Sequence, residues 1–289
     1  MGRAYPFQTF QDWFTQQWVI WWGRKIDPND YQWLIGPFGN LNGIGENFIY
    51  QLAEKENLRV ERNSSGGLIS SIELLSLSEE ELYVLSKNVI DFYENTSQYK
   101  LEFSVKWNPL FKFFGILVKI LFSSRINQLN IPTGNLKGES ISSEIIQLFD
   151  SVTNKVKYTI WLRKIESSGQ VIYSGIYGTC KIPSGASCIK AVFPLPKGNA
   201  TVILAPEVGE NGELILKSAG KKIGDPGFYF LLNDAKDRTW TQFIRTFKDQ
   251  LTVRSDNQKI SAEQSLTLWG LSVVKFNYEI CKNLDIKNC

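Results

Sequence analysis

The sequence predicts an α+β protein: a helical N-terminal half packed beside a C-terminal antiparallel β-sheet or barrel of about eight strands. Two observations carry this prediction. Apolar residues recur at helical spacing up to about residue 122, and beyond about residue 155 they alternate with polar ones. The alternating runs are joined by short Gly-, Pro- and Asn-containing turns, with little helical pattern between them. The expected organisation is a mainly helical region over 1–135 and an antiparallel β region over 136–289, either as two units or as one continuous domain.

Residues 7–22 read as an aromatic helix. Phe10, Trp13, Phe14, Trp18 and Trp21 share one face, which predicts docking on the core through that stripe. The rival reading is an interfacial anchor, because Trp favours the headgroup region, although the polar face carries Gln and Thr rather than Lys and Arg. Glycines at 36, 39, 43 and 45 form a structural loop, since neither a Walker ending nor a preceding strand accompanies them. Phe48 to Leu58 reads as helix and Asn63 to Gly67 as a turn. Ser78 and Glu81 have capping-box spacing, and Leu82, Leu85, Val89, Phe92 and Tyr93 continue a buried stripe, predicting one helix over 79–94. A second, strongly apolar helix is expected over 108–122, with Pro109 in its first turn. It is either buried or lies on a membrane with Lys112 and Lys119 snorkelling. Asn130 to Ser140 reads as a connector.

The strands follow. Val156, Tyr158, Ile160 and Leu162 alternate with Lys157, Thr159, Trp161 and Arg163, the pattern of a half-buried strand. Further strands are expected over 171–182, 188–195, 200–206, 213–218 and 228–232, with extended runs at 250–254 and 265–280. The segment Trp240 to Phe247 reads as helix. Glu210-Asn-Gly212 is a compact hairpin signal. Asp225-Pro-Gly227 is a turn in which Pro fixes φ and Gly takes the left-handed position; the alternative is that Asp225 and Tyr229 project at a barrel mouth.

Composition narrows the chemistry. The chain has 289 residues, 43% hydrophobic and 21% charged, enough to bury a substantial core. A net charge of +3 without a run of like charges argues against nucleic acid as a partner. There is no histidine, which excludes Ser–His and Cys–His pairs, a His general base and His-containing zinc sites. No Gly-x-Ser-x-Gly elbow occurs, and the consecutive Glu79, Glu80 and Glu81 spray around their helix instead of converging. No catalytic residue, metal ligand set or cofactor is therefore assigned. Cys180, Cys188, Cys281 and Cys289 form two C-x7-C pairs without the spacing of zinc ribbons or redox motifs. The N-terminus lacks an apolar h-region and a myristoylation signal, and the apolar run Phe113 to Phe122 is shorter than the roughly 20 residues a span needs. The expectations are thus a cytoplasmic protein with free thiols and no transmembrane segment.

Two stretches carry a resemblance. Phe92-Tyr-Glu-Asn-Thr-Ser-Gln-Tyr99 leads on to Ser124-Arg-Ile-Asn-Gln-Leu-Asn-Ile-Pro132. Phe193-Pro-Leu-Pro-Lys-Gly-Asn-Ala-Thr201 is followed by Gly224-Asp-Pro-Gly-Phe-Tyr-Phe230. Over about 90–280 the chain resembles an uncharacterised bacterial protein family of unknown function, which implies a bacterial protein and names no site residue. At fold level it also resembles START-like helix-grip and lipocalin-like proteins, which implies an apolar ligand. The absence of a long helix after the last strands departs from the helix-grip pattern.

The functional expectation is non-enzymatic binding of a hydrophobic or amphipathic, lipid-like small molecule in a β-cup. Candidate lining residues are Tyr158, Trp161, Tyr173, Tyr177, Phe193, Phe228, Phe230, Trp269 and Tyr278, which otherwise simply fill a core. Arg125, with Asn127 and Gln128, either terminates its helix or presents a guanidinium to a carboxylate or phosphate head. Two alternatives stand: a membrane-surface or protein-interaction module using the 13–22 and 111–122 helices, and an enzyme with carboxylate or tyrosine chemistry.

Overall fold

The computed structural model describes residues 10–39, 46–109, 111, 141–257 and 259–283. The first part of the chain forms α1 (Phe10–Trp22), the short β1 (Arg24–Lys25), α2 (Asn47–Glu56), β2 (Leu58–Glu61), α3 (Glu79–Val84), α4 (Lys87–Glu94) and β3 (Tyr99–Trp107). The rest is strand after strand: β4 (Ile141–Asp150), β5 (Val156–Ile165), β6 (Val171–Lys181), β7 (Ser187–Leu195), β8 (Gly198–Val208) and β9 (Leu214–Lys217), then β10 (Phe228–Asn233), β11 (Thr239–Phe243), β12 (Phe247–Asp256), β13 (Lys259–Leu268) and β14 (Leu271–Lys282).

These strands make one 14-stranded antiparallel sheet in the order β2-β4-β5-β6-β7-β8-β9-β12-β13-β14-β3. The two outermost strands, β2 and β3, are not hydrogen-bonded to each other among the described residues, so the sheet is open rather than a closed barrel. It branches at β8, where Gly198–Val202 pairs with β10 and Ala205–Val208 pairs with β9. β10 carries β11, and β11 carries β1.

The open sheet curls. One inner cluster joins Leu101 of β3, Ile145 of β4, Trp161 of β5, Phe193 of β7, Val253 of β12 and Ile280 of β14. Strands from opposite ends of the order thus face one another, and Val89, Phe92 and Tyr93 of α4 fill the space between them. The outer face of β4–β6 is covered as well, because Phe48, Ile49 and Leu52 of α2 pack on Ile146, Ile160, Leu162 and Ile176. This corrects the half-buried reading of β5, whose residues Thr159 to Arg163 are buried on both sides.

Several other expectations change. Strands β2, β3 and β4 were not anticipated, and the strand count exceeds eight. The segment 240–247 is β11 running into β12 rather than helix, because Thr239, Thr241 and Phe243 supply branched and aromatic residues that fit a pleated surface. The run 265–280 divides into β13 and β14 at a turn where Trp269 and Gly270 both take positive φ. The capping box at Ser78 and Glu81 forms reciprocally, yet the helix stops at Val84. Leu85 turns extended, and the Ser86 N–H donates to the Gly212 carbonyl instead of continuing the helix. The expected helix 108–122, beyond Phe111, and the connector 130–140 lie outside the described residues, as does Arg125.

α1 packs the other way round from the sequence expectation. Gln16, Gln17 and Val19 are buried at 5%, 3% and 1% exposure, whereas Phe10, Phe14, Trp21 and Trp22 are 75%, 58%, 67% and 75% exposed. Trp18 does meet the core, edge-on to Phe230 of β10. Cys180 and Cys188 are free thiols directly opposite one another on β6 and β7, and burial raises them to about 11 and about 12. Cys281 is disulfide-bonded, so the expectation of free thiols holds for the first pair only.

Candidate functional site

The inner face of the curled sheet is largely apolar, and a line of polar side chains crosses it. Arg163 projects from β5 on the same side as Trp161, as residues two apart on a strand must. It is only 5% exposed. Its guanidinium lies 4.9 Å from the Phe103 ring, 5.1 Å from Trp161 and 5.7 Å from Tyr278, a stack on three aromatic faces. The Tyr278 hydroxyl donates to Gln264 Oε1 at 3.0 Å, and Gln264 Nε2 donates to the Asp249 carboxylate at 2.8 and 3.0 Å. Hydrogen bonds thus run across β14, β13 and β12 to a buried carboxylate, and the buried cation of β5 stacks on the Tyr278 ring at the other end.

This line does not satisfy the cation. Nε and Nη2 of Arg163 are buried with no hydrogen-bond partner among the described residues. Those two nitrogens share the edge of the guanidinium whose N–H bonds run parallel, the edge that grips a carboxylate or phosphate with two bonds. Burial lowers the Arg163 pKa, opposed by Tyr278 and Tyr177, yet a guanidinium still stays charged. Burial pushes Asp249 up to about 7 against the opposing Gln264 hydrogen bond. Burial also holds Tyr278 up at about 12 and Tyr177 well above the tyrosine range.

The residues expected to line a ligand fall into three groups. Trp161, Tyr177, Phe193, Phe228, Phe230 and Tyr278 all join the inner cluster, with Trp161 edge-on to Tyr177 at 5.8 Å and its indole N–H donating to Ser143 at 2.8 Å. Tyr158 faces the opposite side of β5 and donates to Glu56 at 3.1 Å, because a one-residue step along a strand reverses the face. Trp269 is 70% exposed in the β13–β14 turn and lines nothing internal. Tyr173 lies in β6, but its side chain is outside the described residues.

Sequence reasoning missed Arg163, Asp249, Gln264 and Phe103. The signal for Arg163 was its place two residues beyond Trp161: a face bearing a tryptophan is seldom purely solvated.

A rival site is weaker. An open cleft of about 650 Å³ is lined by Arg24, Asp30, Tyr31, Trp33, Lys222 and Asp225 among others. Its cations are balanced by its carboxylates, and the Asp225 carboxylate accepts the Lys221 and Lys222 N–H groups of its own turn. The Tyr229 hydroxyl accepts from the Gly224 N–H and donates to the Asp225 carbonyl, so the turn reading of this loop holds. The left-handed glycine is Gly224, at φ 104°, rather than Gly227.

No family model matches the chain, and no solved structure matches it. It is similar to the uncharacterised membrane protein YndJ of Bacillus subtilis (strain 168), 24% identical over 239 residues. The alignment covers 82% of this chain and 41% of that protein, so the chain spans about two fifths of the length of the relative it matches. The resemblance to an uncharacterised bacterial protein is thereby shown. Among the described residues no helix is long and apolar enough to cross a membrane.

Proposed function

We propose that this protein binds an amphipathic small molecule without converting it. A carboxylate or phosphate head meets Arg163, and the apolar remainder lies along the inner face of the curled sheet. The observation that carries this reading is the open Nε and Nη2 edge of a buried arginine. A charged donor left unsatisfied in an apolar interior costs several kcal/mol, and a bidentate anion removes that cost. The surrounding rings suit an apolar body, and Phe103 and Tyr278, which stack on the guanidinium, must part to admit it. Catalysis by paired carboxylates has no support, because Asp249 is the one carboxylate in this network among the described residues. The similarity to a protein named as a membrane protein supports a workplace beside a bilayer, where acidic amphipaths are abundant.

The test is native mass spectrometry and lipid extraction of the purified protein, alongside Arg163→Met. The wild type should carry an acidic amphipath. The variant should lose on the order of 10- to 100-fold in affinity, the worth of charge-assisted hydrogen bonds. Its Tm should hold or rise, because removing an uncompensated buried charge is neutral or stabilising. A ligand-free wild type, or a variant that melts much earlier while binding equally well, would reduce Arg163 to a stacking element of the core.

A further inference from the structure

α1 leaves its richest aromatic surface uncovered. At 100° per residue, Phe10, Phe14 and Trp21 fall within about 40° of one another on the outer side, and Trp22 extends that surface at the helix end. All four are more than half exposed, while Val19, on the opposite side of the helix, is 1% exposed. Burying each such ring is worth roughly 1.5–3 kcal/mol, so leaving four of them in water is costly unless something covers them. Its orientation is held by Trp18 against Phe230 and by the close seat of Gly23, whose N–H donates to the Val19 carbonyl at 2.8 Å.

The chain then runs from Trp21-Trp22 through Gly23 into β1, where the exposed Lys25, opposite Trp240, lies on the side of the sheet that Phe230 presents to Trp18 of α1. Rings of this kind favour the headgroup zone of a bilayer, and cations beside them reach lipid phosphates. We propose that the outer face of α1, with Lys25, docks on the surface of an anionic lipid bilayer. The docking is peripheral: the rings sit at headgroup depth and Lys25 meets acidic lipid. It rests on the reading that the domain works beside a bilayer, and it is independent of Arg163.

The experiment is co-sedimentation of the whole chain with vesicles of phosphatidylcholine alone and with phosphatidylglycerol added, with tryptophan emission as a second readout. Two surface variants accompany it, Phe14→Ser with Trp21→Ser and Lys25→Glu alone, with circular dichroism as the check on folding. The wild type should pellet with the acidic vesicles and shift its emission to the blue. Both variants should bind about tenfold more weakly, and added salt should weaken the wild type. Wild type left in the supernatant with acidic vesicles overturns both this inference and the bilayer-side reading. Undiminished binding by both variants overturns the α1 face alone. A dimer in solution that the aromatic variant dissociates would assign the face to a second copy of the chain and overturn the bilayer.

Discussion

Asp249 titrates in surroundings that favour its neutral form, and this makes stability depend on pH. Burial raises its pKa from the usual 3.8 to about 7. Between those values the folded state holds a proton that the unfolded state has released, so the contribution is present below pH 3.8 and is lost as pH rises to about 7. The difference is worth at most about 4 kcal/mol. Asp249→Asn keeps an acceptor for the Gln264 amide and has no charge to bury. It should flatten the decline in Tm between pH 4 and pH 7 and leave the protein more stable than wild type at pH 8, as thermal melts across that range would show. An unchanged slope would place the titration elsewhere. None of this was legible in the sequence, where Asp249 stands beside an extended run whose inner face was not yet assigned. A single strand states its period but not which of its two sides meets another layer. For β5 both do, and Arg163 was therefore placed outward.

At the level of elements, local chemistry was read well and long-range contact was not. Ser78 and Glu81 lie three residues apart, and their capping box formed as expected. The end of that helix depends on a carbonyl at Gly212, more than a hundred residues away, which no nearby spacing announces. The hairpin strands β5 to β9 were legible because each turn carries its own Gly, Pro or Asn. β2 and β3 were not, since their partners come much later in the chain. For α1 the stripe was identified and its destination reversed, because periodicity gives a face and not the direction it points. Gly23 provides the test at this scale. A Cβ there would stand 2.2 Å from the Val19 carbonyl oxygen and 2.6 Å from that of Thr241. Gly23→Ala should therefore lift the end of α1 off β11 and cost about 1–3 kcal/mol, read as a lower Tm. A neutral effect would mean that the seat is loose.

For the whole molecule, the governing fact is that the sheet recruits its outer strands from the first half of the chain. β3 pairs along β14 from Tyr99↔Lys282 to Trp107↔Val274, and β2 pairs with β4. A chain starting at residue 136 would lack both strands, and also α4, whose Val89, Phe92 and Tyr93 fill the curl. It would present a long bare edge on β14, and it should aggregate or melt without cooperativity, which gel filtration and calorimetry would show. A soluble, cooperative fragment would mark 136–289 as a unit of its own. The branch at β8 has one more consequence. Val192↔Thr201 and Tyr229↔Thr201 are both in register, so that residue sits between two neighbours, while a few positions later the same strand serves β9. β8 is thus a party wall between the layer that carries α1 and the layer that carries the polar line. A distortion of that wall reaches both rooms, and no substitution along Ala200 to Ala205 can be private to either.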